Sequence, residues 1–160
     1  MAYAGASTGS ITLVPKTSDS YFYESFSCRS TNSDGYTAVS FTLQGPAGGS
    51  IAVELQSKSS CSDDDGNSTS SYNVFNNVTG QPQQITLPLS SFTPEANLDA
   101  LIAVAWSQFV STTVSAWSIS NVQLVCGNGA GAPGEFIPEK WFAIDDKSIT
   151  IGGLFLNDIL

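Results

Sequence analysis

The chain has 160 residues, enough for one domain with a core of its own. Fourteen acidic residues stand against five basic ones, a net charge of −9, and such a surface repels phosphate backbones and anionic lipid, which weighs against nucleic acid or a membrane as partner. Histidine is absent, which removes His-based triads, His-ligated zinc and imidazole-held copper. Only 12% of residues are charged, and the abundant Ser, Thr, Asn, Gln and Gly give a composition common among secreted β-proteins. No apolar run approaches the roughly 20 residues of a membrane-spanning helix. No signal-peptide h-region follows Met1, so a secreted protein would have lost its leader.

In chain order, short runs rich in β-branched and aromatic residues recur at 11–15, 21–28, 36–45, 50–58, 72–78, 83–89, 101–109 and 115–126. Turn-forming clusters such as "NSDGY", "GPAGG", "SDDDGNSTSS" and "TGQPQ" separate them. Small residues in "MAYAGASTGS" read as a tolerant loop, and "TPEANLDAL" (93–101) holds one helical turn at most. Alternation assigns faces: Ile51, Val53 and Leu55 oppose Ala52, Glu54, Gln56 and Lys58, while Val39, Phe41 and Leu43 oppose Ser40, Thr42 and Gln44. Eight strands with one wet face each predict an all-β fold, a two-sheet antiparallel β-sandwich with jelly-roll connections. An immunoglobulin-type sandwich is the alternative, but its Cys…Trp…Cys spacing is missing. The Gly-rich "GNGAGAPG" (127–134) reads as a linker between a main body, 1–126, and a C-terminal segment, 135–160.

The run "SDSYFYESFSC…GYTAVSFTLQGPAGGSIAVELQSKSSC" followed by "ITLPLSSF…NLDALIAVAW…SAWSISNVQLVC" resembles the galactose-binding-like jelly rolls of fungal secreted proteins. That group includes family-11-type carbohydrate-binding modules and complex I intermediate-associated protein 30-like domains. Members usually begin with a strand of the type "I-D-D-F-S", a spacer and "L-G-G-x-x-x-D-D". Here the matching stretch, "AIDDKSITIGGLFLND" (143–158), comes last, with Lys147 where an aromatic is usual. The resemblance therefore implies a circularly permuted order, with the C-terminal segment supplying the family's first strand to the same domain. A chain that stops just inside a second repeat is the other explanation. The resemblance also implies a structural calcium near that strand, held by Asp146 with Asp145 or Asn121; hydrogen bonding of Asp145 and Asp146 to loop backbone is the plain alternative.

Sugar recognition calls for aromatic faces against ring C–H groups and for amides or carboxylates on the hydroxyls. Trp106 and Gln108 share a face by alternation, as do Glu54, Gln56 and Lys58; with Tyr72 or Tyr23 at an edge they would form a shallow groove for a polysaccharide or oligosaccharide. Trp106 equally shares a face with Ile102 and Val104 and so also reads as core, as do Trp117 and Trp141. A carboxylate-pair hydrolase or lyase would draw on Glu54 with Asp99 or Glu24, and a scaffold module without ligand is a third reading. In "CSDDDGNSTS", Asp63, Asp64, Asp65 and Asn67 are oxygen donors for calcium or simply a solvated turn. Of three cysteines, Cys28 and Cys61 each follow a strand and would close a disulfide at one end of the sandwich, leaving Cys126 as a thiol. The sequons at Asn67 and Asn77 fit a secreted chain.

Overall fold

A computed structural model describes residues 3–7, 9–17, 19–62, 67–111, 115–127, 140–145 and 148–151, the strands at 3–7, 140–145 and 148–151 as backbone only. The strands are β1 (Tyr3–Ser7), β2 (Ser10–Val14), β3 (Tyr21–Arg29), β4 (Tyr36–Gln44), β5 (Ser50–Ser57), β6 (Thr69–Phe75), β7 (Gln83–Pro88), β8 (Leu101–Val110), β9 (Trp117–Cys126), β10 (Lys140–Asp145) and β11 (Ser148–Ile151). They form two antiparallel sheets, β1-β2-β9-β4-β7 and β11-β10-β3-β8-β5-β6. The all-β sandwich expected from the alternation is the observed architecture.

Alternation builds the core directly. Ile51, Val53 and Leu55 of β5 face Val39, Phe41 and Leu43 of β4 as members of one buried cluster, each at 0–1% exposure. Trp106 lies in its centre at 0% exposure, stacked on Phe22 at 5.5 Å and edge-on to Phe41 at 5.5 Å. Trp117 packs edge-to-face with Phe109. The turn joining β4 to β5 closes on this second tryptophan so tightly that a Cβ on Gly45 would lie 2.3 Å from the indole.

Two expectations change. Residues 3–7 are not a loop; they pair with β2 as a hairpin, Ser7 opposite Ser10. The turn expected to open at Thr93 and Pro94 does not start there, because Thr93 is held extended by two backbone hydrogen bonds to Tyr72; the hydrogen-bonded turn within 93–101 falls later, at Asn97–Ala100, and a short 3-10 turn lies earlier, at Leu89–Ser91. That bridge also covers the middle of β6, the outer strand of its sheet, where an open edge would invite pairing with another chain.

At the other side of the same sheet, β10 lies antiparallel to β3, with Lys140 opposite Ser25 and Ile144 opposite Tyr21. The backbone of β10 and β11, the described part of the C-terminal segment, thus belongs to the six-stranded sheet. The linker beyond Gly127 and the acidic turn at Asp63, Asp64 and Asp65 lie outside the described residues, as does the side chain of Trp141. Cys28 and Cys61 form a disulfide with a Cα–Cα distance of 5.4 Å across a separation of 33 residues, a closure that contributes about 3–4 kcal/mol in the chain-entropy account. Cys126 is a free thiol.

Candidate functional site

The solvent face of β3, β8, β5 and β6 carries a groove of about 340 Å³. Strand register explains its shape. One row across the sheet reads Tyr23, Ala105, Glu54, Tyr72, and the next reads Ser25, Ala103, Gln56, Ser70. Small residues on the central strand β8 make a floor, and tyrosines on β3 and β6 stand at its sides. Three strand spacings separate those sides, roughly 14 Å. Tyr21 lies two residues before Tyr23, on the same face, and their rings stack at 6.3 Å. Burial, and then the neighbouring Tyr21, push the Tyr23 hydroxyl above its ordinary value, so it stays a neutral donor across physiological pH.

Glu54 is the polar centre. Its Oε1 accepts hydrogen bonds from Ser70 Oγ at 2.5 Å and Gln56 Nε2 at 3.0 Å, which braces the carboxylate where it lines the groove. Asp19, Tyr21, Ser107 and Gln108 complete the lining. The described large hydrophobic residues that are most exposed, Tyr72 at 41%, Val74 at 54% and Val110 at 56%, share this face: Val74 is opposite Ala52, and Val110 opposite Ser50.

The sequence expectations sort cleanly. Glu54, Gln56, Gln108 and Tyr72 are brought to one groove, and Tyr23 stands at its border. Trp106 is not there. The reason is one extra residue on β8: Ser50 pairs with Val110 and Ala52 with Ser107, so two steps on β5 answer three on β8, and Gln108 takes up the bulge at φ 49°. Before the bulge Trp106 points into the core; after it Gln108 points out, and simple alternation wrongly puts the two on one face. Asp19, Tyr21, Ala105 and Ser107 were missed. Tyr21 could have been found from its spacing to Tyr23, and Ala105 and Ser107 from the i, i+2 repeat of small residues.

Neither proposed partner for a carboxylate pair joins Glu54. Glu24 faces inward between Phe22 and Phe26 at 0% exposure, both oxygens without a hydrogen bond, and burial raises its carboxyl to about 8. Asp99 is at the disulfide end of the sandwich, where Ser30 Oγ donates to it at 2.6 Å and its backbone oxygen lies 3.7 Å from Cys61 Sγ. Among the described residues Asp19 is the other carboxylate lining the groove. Of the calcium ligands expected from the resemblance, one is described with its side chain. Asn121 occupies a bulge of β9 in the five-stranded sheet and donates to Thr42 Oγ1, whereas Asp145 ends β10 in the other sheet. The side chain of Asp145, and Asp146 altogether, lie outside the described residues. No group of three or more His, Cys, Asp or Glu side chains that could hold a metal occurs among the described residues.

No family model and no curated protein matches the chain. Solved structures do. A family 30 carbohydrate-binding module from a cellulosomal cellulase of Clostridium thermocellum is similar in fold with a TM-score of 0.56, at 12% identity, over 74% of this chain and 75% of that one. A family 11 carbohydrate-binding module of Clostridium thermocellum, solved with a β-1,3-1,4-mixed-linked tetrasaccharide, is similar with a TM-score of 0.51 at 14% identity, over 78% and 87%. The jelly-roll sandwich is therefore the class to which this fold belongs.

Proposed function

We propose that this domain binds carbohydrate without cleaving it, holding a neutral oligo- or polysaccharide in the groove of the six-stranded sheet. The observation that carries the reading is the row Tyr23, Ala105, Glu54, Tyr72: aromatic sides, a small-residue floor and a braced carboxylate between them. Tyrosine rings offer faces to sugar C–H groups, while Glu54, Gln56, Gln108 and Ser107 offer acceptors and donors to hydroxyls. The fold shared with two carbohydrate-binding modules supports the same reading. A shallow site of this size gives affinities on the order of micromolar to millimolar. The Cys28–Cys61 disulfide fits work outside the cell. The pairing of β10 with β3 fits a permuted order in which the C-terminal segment acts as the family's first strand.

The test is calorimetric titration with soluble mixed-linked β-glucan and its tetrasaccharide, followed by Tyr72→Ala and Glu54→Ala. Loss of one ring contact should weaken binding roughly three- to tenfold, and loss of the carboxylate's hydrogen bonds about tenfold or more. Unchanged affinity in both variants would remove the groove from the function. Reducing ends released from the same glucan by the parent chain and not by Glu54→Gln would replace binding with hydrolysis.

A further inference from the structure

The five-stranded sheet has a chemical peculiarity of its own. Its strands, β1, β2, β9, β4 and β7, contain no Asp, Glu, Lys or Arg, in a chain of net charge −9. Hydroxyls and amides take their place on the outer face. Ser10, Ser120 and Thr42 form one row across β2, β9 and β4, and Thr12, Ser118 and Gln44 form the next.

At the end of that second row the face is not flat. The turn after Gln44, at Gly45 and Pro46, and the approach to β9, at Ser115 and Ala116, line an open cleft of about 470 Å³, larger than the 340 Å³ of the groove. Its walls are set by packing. Gly45 and Gly49 lie against the Trp117 ring, closer than any side chain would permit, so the turn is held fast against the sandwich and the cleft is preformed. Among the described residues the Thr12 hydroxyl and the Gln44 amide have no hydrogen-bond partner in the protein, and Ser118 has a long contact of 3.5 Å with Ser10. Three polar groups with spare capacity thus line a cleft whose described residues carry no formal charge.

From this we infer that the cleft at Thr12, Ser118 and Gln44 is a second binding site, for a neutral saccharide, on the sheet opposite the groove. A ligand with many hydroxyls and no charge matches the row: Gln44 supplies donor and acceptor, the hydroxyls supply both, and Pro46 and Ala116 give apolar edges for ring C–H groups. A charged ligand finds no counter-ion among the described residues of the lining. Trp117 is 1% exposed, so it forms the back wall and is not a stacking platform, and the site is the weaker of the two, with a Kd on the order of millimolar. The two sites lie on opposite sheets, and one short oligosaccharide cannot reach both. The domain would therefore join two separate chains of a polymer, with the gain in avidity that linked sites bring.

The deciding experiment is a two-dimensional amide NMR titration of the full chain with the mixed-linked β-glucan tetrasaccharide, run to about ten times a millimolar Kd. It is repeated with Tyr72→Ala and with the double variant Thr12→Val, Gln44→Ala. Tetragalacturonate serves as the charged control. The inference expects saturable shifts at Thr12, Gln44 and Ser118 in the parent and in Tyr72→Ala, lost in the double variant and absent with the control. Shifts confined to the Tyr72 and Glu54 face would overturn the second site and leave the groove standing. Saturable shifts at the cleft alone would keep the second site and remove the groove. A linear, unsaturated drift at the cleft, or no shift anywhere, would overturn it. Urea midpoints of the double variant separate a lost contact from a lost fold, and the parent's shift map is decisive without it.

Discussion

Glu24 should make the protein weaken as pH rises through the neutral range. Its carboxyl is fully buried on the core face of β3, opposite Val104 of β8, and no hydrogen bond reaches either oxygen. Burial penalises the anion, so the group moves from an ordinary 4.5 to about 8 in the folded chain. The sign follows from proton counting. Between pH 4.5 and about 8 the folded state keeps the proton and the unfolded state releases it, so each pH unit gained favours unfolding; below that window the stability is fully present, and above it the loss is complete. At about 1.4 kcal/mol per pH unit, the whole window is worth on the order of 5 kcal/mol, comparable with the entire stability of a small domain. Urea unfolding at pH 5, 6, 7 and 8 measures it directly, with Glu24→Gln as the reference, since the amide keeps the shape and cannot ionise. The parent should lose stability steadily across the series relative to Glu24→Gln. Parallel curves for the two proteins would refute the reasoning, because they would mean that the carboxylate is solvated or paired in the folded state.

Two further outcomes follow from packing. Gly45→Ala would press a methyl group into the Trp117 ring, where the nearest carbon is 2.3 Å away; overpacking of this kind costs about 1–3 kcal/mol, read as a lowered urea midpoint, and an unchanged midpoint would show that the turn moves freely. Ending the chain after Gly127 would strip β10 from β3 and with it five cross-strand pairs, from Lys140–Ser25 to Ile144–Tyr21, a loss of roughly 1–5 kcal/mol together with a newly open edge prone to association. Size-exclusion chromatography and urea unfolding of the shortened chain check this, and a monomer of full stability would refute it.

The legible part of the fold was whatever alternates strictly. β4 and β5 could be oriented residue by residue because Val39, Phe41, Leu43, Ile51, Val53 and Leu55 never break period two, and burial follows that period at each of them. The illegible part begins where the period slips. The extra residue at Gln108 exchanges the faces of β8, and nothing in "AWSQFV" announces a positive φ at a glutamine. β1 escaped notice because Ala, Gly and Ser have low strand propensity, and its place is decided by pairing with β2 rather than by its own composition. Glu24, named as a possible partner for Glu54, is excluded by the same periodicity: the pattern Phe22, Glu24, Phe26 puts it inward with two aromatics, although a carboxylate usually faces water.

That inward carboxyl also says something about how groove and core depend on one another. β3 alternates Tyr21, Phe22, Tyr23 and Glu24, so the tyrosines that border the groove and the side chains that fill the core beneath it belong to one strand. Any slip of β3 by a single residue would bring Phe22 and Glu24 to the solvent face and bury both tyrosines. Register here is held by Phe22 stacked on Trp106 and by pairing on both sides, with β8 and with β10. The aromatic border of the binding face is therefore maintained from inside the core. Trp106, which the sequence left between sugar contact and core, is core and serves the groove by locking the strand that carries Tyr21 and Tyr23.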